Sequence, residues 1–308
     1  MSRLSSLDAG AAGALLDQNA LGLKSGPFIV RIGSDLAELG GILTSIYADS
    51  RFVREPEFSD FHVQLRRSTG LRRWVRPQVR FEMDGIAPFF SLPRAQTHAL
   101  FEWGLNWCVA SHAHRFLILH GAVLARGDRA VVLPAPPGSG KSTLTAALAY
   151  RGWRLLSDEL TLIDPQTGFV HGLARPVSLK NESIDVIARF LPEARLGPVI
   201  PDTKKGAIAF LPAPVDAIDA IGVPARIDWV IAPRFKRDAH PTMTPVTRPD
   251  TFRTLIANAF NYNVHGRAGF DALGGVVGRA QGFVFEYGSL NDAIAVFDRL
   301  AAEPGLIA

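Results

Sequence analysis

The run Leu133-Pro134-Ala135-Pro136-Pro137-Gly138-Ser139-Gly140-Lys141-Ser142-Thr143 carries the sharpest chemical signal of the chain: an apolar strand, a glycine-rich turn, then Gly-Lys-Ser at the start of a helical pattern. That order builds a phosphate cradle. Backbone N–H groups from Gly138 to Thr143 and the positive helix end stabilise anionic oxygens, Lys141 reaches the terminal phosphates, and the Ser142 hydroxyl can ligate Mg²⁺. Ala135 stands where the strict pattern has glycine, and Pro136 and Pro137 remove two donors, so the donors gather late and the prolines stiffen the approach.

A second signal follows in Trp153-Arg154-Leu155-Leu156-Ser157-Asp158-Glu159, which sets two carboxylates beside the end of an apolar strand. In phosphoryl transfer one acid helps hold Mg²⁺ and another group takes the proton of the attacking hydroxyl, so the pair suits both tasks. Neighbours on an extended strand point opposite ways, which puts one of them towards the phosphates, and Asp158 is the favoured one. His120, in Ile118-Leu119-His120-Gly121-Ala122, is a polar residue in an apolar strand upstream of the loop. By itself that position suits a satisfied core histidine more often than a catalytic group.

The elements that position these residues follow from pattern. An apolar strand spans Phe116 to Leu124, the turn Arg126-Gly127-Asp128-Arg129 leads into a strand from Ala130 to Leu133, and a helix runs from Ser142 to Arg151, closed by Gly152. Arg154 to Ile163 returns as a further strand, so strand, loop, helix and strand form an α/β phosphate-binding unit. Upstream, a strand at Phe28 to Ile32, a helix at Asp35 to Tyr47 and extended stretches at Phe61 to Arg66, Trp74 to Met83 and near Phe89 make a small α+β module, with Asp84-Gly85 as a turn. A helix from Arg94 carries Leu100, Trp103, Leu105, Trp107 and Cys108. Later come strands at Trp229 to Ala232 and Gly282 to Tyr287 and helices at Ser183 to Phe190 and Asn291 to Ala302. The expected division is an α+β module over residues 1–92 and a phosphate-loop domain over 93–308.

Composition supports a folded chain: of 308 residues 47% are hydrophobic and 20% charged, which excludes a disordered or fibrous class. The surplus of 33 basic over 29 acidic residues is only +4, so nucleic-acid binding is not demanded. The single cysteine, Cys108, forms no internal disulfide, no set of Cys and His has metal-ligand spacing, and its apolar setting reads as a core thiol. The first 23 residues lack the basic start and apolar core of a secretory signal, and no run of 18 apolar residues offers a membrane span, so a cytoplasmic protein is expected.

His120-Gly121, the loop Gly138-Ser139-Gly140-Lys141-Ser142, Arg151-Gly152, Arg154-Leu155 and Asp158-Glu159 together resemble the HPr kinase/phosphorylase superfamily in order and spacing. Gly26-Pro27-Phe28, Arg72 to Pro77, Glu102 to Cys108, Arg175 to Asn181, Thr203 to Gly206 and Phe260-Asn261-Tyr262 resemble its HPr kinase-related kinase A group, so the resemblance spans nearly the whole chain. It implies a fold akin to phosphoenolpyruvate carboxykinase and an ATP- and Mg²⁺-dependent kinase acting on a serine-type hydroxyl. By the same resemblance Lys141 and Ser142 bind phosphate and metal, Asp158 or Glu159 is metal ligand or base, and His120 assists the pair. The acidic pair here is Asp-Glu where that family usually has Asp-Asp, and the C-terminal signature of the bifunctional enzymes is absent from the sequence, which leaves HPr as acceptor and the reverse phosphorolysis unassigned.

Arg175 and Lys180, or Lys204 and Lys205, would neutralise charge on a transferred phosphoryl group, with Arg175 placed in the nucleotide site and the Lys204-Lys205 pair read more readily as a solvated loop. Arg66, Arg67, Arg72, Arg73, Arg76 and Arg80 concentrate positive charge in the first module, as a solvated strand face or a dock for an acidic peptide. The expected activity is a phosphotransferase with an alcohol-group acceptor, a serine kinase acting on a peptide or small protein. A small-molecule hydroxyl kinase and a nucleotide sensor that transfers to nothing but water are the alternatives, and assembly into a homo-oligomer stays open.

Overall fold

The computed structural model describes residues 1–136 and 138–302, with the side chains of Leu71 and Arg73 left aside, so Pro137 and the Arg73 side chain lie outside the described residues. The chain is a mixed α/β protein built on three sheets. The first has seven strands, among them Leu21–Ser25, Phe28–Ser34, Phe61–Arg67 and Gln78–Met83. Phe28–Ser34 and Phe61–Arg67 run parallel, which requires a crossover, and the helix Ala37–Ile46 lies within it. The helix Ala9–Asp17 and the strand Leu21–Ser25 were not foreseen; Asp8 caps that helix by accepting from the Ala11 N–H at 2.7 Å. The Asp84-Gly85 turn has φ of 49° and 80°, as a tight turn there requires. Extended structure starts at Gln78 and not at Trp74, because a 3₁₀ turn over Gly70–Arg73 precedes it.

Among the described residues the second sheet has nine strands and carries the strand, glycine-rich loop and helix of residues 129–149. Ala122–Arg126 and Arg129–Leu133 form the expected hairpin, with Gly127 at φ 62°. Arg129–Leu133 pairs in parallel with Ala225–Phe235, which pairs in parallel with Gln281–Tyr287. Alternation along these strands separates two cores. Leu124, Val131 and Leu133 face the helices Lys141–Ala149 and Leu290–Ala302 beside Trp153, Trp229 and Phe297, while Val123, Ala130 and Val132 face the helices Arg248–Ala257 and Tyr262–Arg279.

Two long strands of the expectation are each broken in two, and both breaks fall at the chemistry. Phe116 to Leu124 divides at Gly121 into Leu117–His120 and Ala122–Arg126, and Arg154 to Ile163 divides at Asp158-Glu159 into Arg154–Ser157 and Leu160–Ile163. The halves pair with different partners, Arg154–Ser157 with Ala122–Arg126 and Leu160–Ile163 with Leu117–His120, so both chains must bend at the same level of the sheet. The Gly121 N–H donates to the Glu159 carbonyl at 3.1 Å across the two breaks.

The helix Thr97–His112 lies beneath the first sheet, its Phe101 and Leu105 in one apolar core with Leu65 and Phe81. Gly104 sits so close to Phe81 that a Cβ would stand 2.1 Å from the ring. The same core continues into Leu160 and Leu162 of the second sheet and Phe210 of the third, so it crosses position 92 without a gap. The third sheet joins Val177–Lys180, Ile200–Thr203 and Gly206–Leu211 and abuts the end of the acidic segment. Among the described residues no helix is long and apolar enough to cross a membrane.

Candidate functional site

The loop after Leu133 is shaped by two glycines with positive φ, Gly138 at 85° and Gly140 at 86°, and the helix Lys141–Ala149 starts directly behind Gly140. Gly140 has no room for a side chain, since a Cβ would come within 2.6 Å of the Tyr287 hydroxyl and 2.8 Å of Phe235 Cβ. The two neighbouring parallel strands clasp the loop: the Phe235 N–H donates to the Ser139 carbonyl at 2.9 Å and the Tyr287 hydroxyl to the Gly140 carbonyl at 3.1 Å. Neither residue was foreseen, because they lie about 100 and 150 positions downstream and join the loop only through sheet pairing. Ser142 and Thr143 follow on the first helical turn, both half-buried.

Lys141 is buried at the head of this helix, and burial pushes its ammonium below the usual lysine range against the pull of Asp158 and Glu159. Ser142 Oγ donates to Asp158 Oδ2 at 3.2 Å, the contact that joins loop to acidic segment. Asp158 is buried at 4% exposure; its Oδ2 also accepts from the Ser178 N–H at 3.1 Å, and its Oδ1 has no hydrogen-bond partner. Burial raises its carboxyl above the ordinary aspartate range although Lys141 opposes the shift.

Glu159 meets a different setting. Its Oε2 accepts from Asn106 Nδ2 at 2.6 Å and its Oε1 lies 3.6 Å from Lys180 Nζ. Burial would raise this carboxyl, but Lys180, Lys205, Lys141 and His120 outweigh it and hold it below the usual glutamate range. Lys205 is exposed, with its ammonium 5.4 Å from the centre of the Trp103 ring. Lys204 and Lys205 are both exposed on the turn between two strands of the third sheet, as a solvated loop would be, and the charge of Lys205 still acts on Glu159.

His120 is half-buried opposite Leu160, the residue after the acidic pair, and its ring meets Phe260 edge-on at 6.0 Å. Burial and the nearby Lys141 lower its imidazole below the ordinary histidine range, with Glu159 opposing. Lys141, Ser142, Asp158, Glu159 and His120 are thus brought together. Although the pair sits in the break between strands, Asp158 turns to the loop at Ser142 and Glu159 away from it to Asn106 and Lys180, the division expected of neighbours on a strand.

Arg175, placed by sequence in the nucleotide site, has both terminal nitrogens engaged elsewhere. Nη1 donates to Asn106 Oδ1 at 2.7 Å, and Nη2 to the Glu102 carbonyl at 2.9 Å and to Glu102 Oε2 at 2.5 Å. Burial disfavours its charge, but Glu102 more than compensates and the guanidinium is raised above its usual range. Asn106 and Glu102 escaped the sequence reading, yet a signal existed: His98, Glu102 and Asn106 recur every four residues on a largely buried helix, a polar stripe where an apolar one belongs.

The donor set suits a magnesium nucleotide. Mg²⁺ takes one or two protein oxygens and completes its shell from phosphates and water, and Ser142 Oγ with the unpartnered, buried Asp158 Oδ1 supplies hard oxygens beside the loop. Among the described residues no group of three or more His, Cys, Asp or Glu is assembled to hold a metal without such help.

No protein-family model matches the chain. No curated protein matches it either. Among solved structures, the Hpr(Ser) kinase/phosphatase from Coxiella burnetii aligns with 60% of this chain and 98% of its own, at 13% identity and a TM-score of 0.27, a likeness too slight to bear on activity.

Proposed function

We propose that the protein is an ATP- and Mg²⁺-dependent kinase that phosphorylates a serine-type hydroxyl on a peptide or small protein. The observation that carries this is the 3.2 Å contact from Ser142 Oγ to Asp158 Oδ2, which sets a buried carboxylate at the head of a glycine-shaped phosphate loop beside Lys141. Backbone amides of Gly138 to Thr143 and the Lys141 ammonium would take the phosphates, and Ser142 and Asp158 would hold Mg²⁺. The metal supplies charge neutralisation on the phosphoryl oxygens when bound. Glu159, held low by its lysines, would accept the proton of the incoming hydroxyl, and His120 beside it, its imidazole lowered by burial, would provide a second acceptor. Residues 1–92, with Arg66 and Arg80 directly opposite on adjacent strands, would present the acceptor.

Transfer of label from γ-labelled ATP with Mg²⁺, offered serine-containing peptides and free serine, tests this directly. The wild type moves label to a peptide, and Lys141→Ala and Asp158→Asn abolish that transfer. Label on free serine alone makes the acceptor a small molecule. Nucleotide binding without any labelled acceptor, or an Asp158→Asn protein as active as wild type, overturns the proposal.

A further inference from the structure

We propose that Asn106 is a positioning residue for Glu159, anchored through Arg175 and Glu102 to Tyr47 in the first α+β module. The inference rests on the kinase reading only for its effect on rate; the geometry stands without it. From Tyr47 inward each link is a short polar contact between buried or half-buried groups. The Tyr47 hydroxyl donates to Glu102 Oε1 at 2.5 Å, Arg175 Nη2 to Glu102 Oε2 at 2.5 Å, Arg175 Nη1 to Asn106 Oδ1 at 2.7 Å, and Asn106 Nδ2 to Glu159 Oε2 at 2.6 Å. His98 Nε2 lies 3.4 Å from Glu102 Oε1 and closes the cluster on the far side.

The chemistry of the donors fixes the direction of this chain. A guanidinium only donates and an ionised carboxylate only accepts, so the amide between them has one orientation that satisfies both: oxygen to Arg175, nitrogen to Glu159. Arg175 therefore sets which face Asn106 offers, and Asn106 sets where Glu159 Oε2 lies. With Lys180 near Oε1 and the Gly121 N–H on its carbonyl, Glu159 is held at three points. Arg175, expected at the phosphates, acts through Asn106 instead, because the Glu102 carboxylate buried against it has no other full charge to balance it apart from His98 when protonated. Tyr47 follows the helix Ala37–Ile46, so the first module supplies one wall of the support and is more than a platform for substrate.

Two variants separate support of Arg175 from positioning of Glu159. Asn106→Ala loses both contacts, whereas Asn106→Asp keeps an acceptor for Arg175 and replaces the amide donor to Glu159 by a second carboxylate. In transfer assays both should lower kcat roughly 10- to 100-fold with the KM for ATP little changed, as removal of a supporting partner commonly does. Both variants should melt below the wild-type temperature, Asn106→Ala by losing its two contacts and Asn106→Asp by setting a second carboxylate against Glu159. Adding either variant to Glu159→Gln should cost no rate beyond that of Glu159→Gln alone, since Asn106 acts only through that carboxylate. A wild-type kcat in Asn106→Asp overturns the proposal.

A readout independent of turnover keeps it distinct from the kinase reading. In ¹⁵N-labelled wild type the Asn106 side-chain N–H facing the carboxylate should resonate downfield of free amides, and Glu159→Ala should return it to their range. An Asn106 resonance indifferent to Glu159→Ala overturns the positioning role. A resonance that moves in a wild type without transfer activity supports the positioning role and overturns the kinase function instead.

Discussion

The loop side and the lysine side of the acidic pair treat two carboxylates one peptide bond apart in opposite ways. On the loop side Asp158 is buried with one unpartnered oxygen and burial raises its carboxyl; on the lysine side Glu159 is flanked by Lys180 and Lys205 and lies below its ordinary range. Environments that push adjacent titratable groups apart are how one site assigns different tasks to similar side chains. Asp158 keeps one oxygen without a partner beside Ser142, whereas both oxygens of Glu159 meet a donor or a cation.

The largest test of this contrast compares Asp158→Asn with Glu159→Gln. The first should cut transfer by about 1,000-fold or more and weaken Mg²⁺-dependent nucleotide binding. The second should slow transfer by about 100-fold while leaving that binding intact. Equal losses of nucleotide affinity in the two, read by titration with a fluorescent ATP analogue with and without Mg²⁺, would abolish the division of labour.

The support of the lysine side comes next. Glu102→Gln removes the carboxylate against which Arg175 is buried, and breaking such a pair costs about 3–5 kcal/mol of stability, read by denaturant unfolding. The pH dependence has a definite sign. Burial alone would raise the Glu102 carboxyl, but Arg175, His98 and Tyr47 hold it below its ordinary 4.5, so between the two values the unfolded chain binds the extra proton. Its stabilisation is complete above about pH 5 and is lost as pH falls towards the folded-state value. Glu102→Gln should flatten that acid limb of the thermal-melting profile, and an unchanged slope would remove Glu102 from the account.

On the loop side two glycines share a backbone conformation but differ in surroundings. Gly138→Ala meets open space and faces only the left-handed backbone penalty of about 1–2 kcal/mol, whereas Gly140→Ala must also displace Tyr287 and Phe235. Nucleotide affinity should therefore fall further in Gly140→Ala, and the reverse order would deny the clasp. The smallest effect concerns Cys108, whose thiol burial pushes up to about 12. Native protein at pH 8 should leave it unlabelled by a thiol reagent until the chain unfolds.

The glycine-rich loop was legible because its parts are contiguous. A glycine conformation, a lysine and a hydroxyl at a helix start need only local spacing, and the strand, loop and helix appear in the expected order. The acidic pair and the turn of Asp158 towards the loop were legible, but the break between strands that holds the pair was not, since it comes from pairing with two separate strands. Glu159's partners stand 53 and 21 positions away, and no local pattern ties Asn106 or Lys180 to it. Arg175 was misplaced for the same reason: an arginine near a kinase loop suggests phosphate, and only the packing of the helix Thr97–His112 reveals the buried Glu102 that claims it.

By itself the sequence determined the mixed α/β class, the loop, the glycines that must turn it and the presence of an acid pair after it, because these depend on backbone conformation and nearest neighbours. Tertiary structure alone decided which groups hold Glu159, which cations reach it, and that Tyr47 stands behind the site. Charge and hydrogen-bond direction act between groups brought together in space, and that proximity is written in sheet pairing and helix packing across the whole chain and not in any one stretch of it.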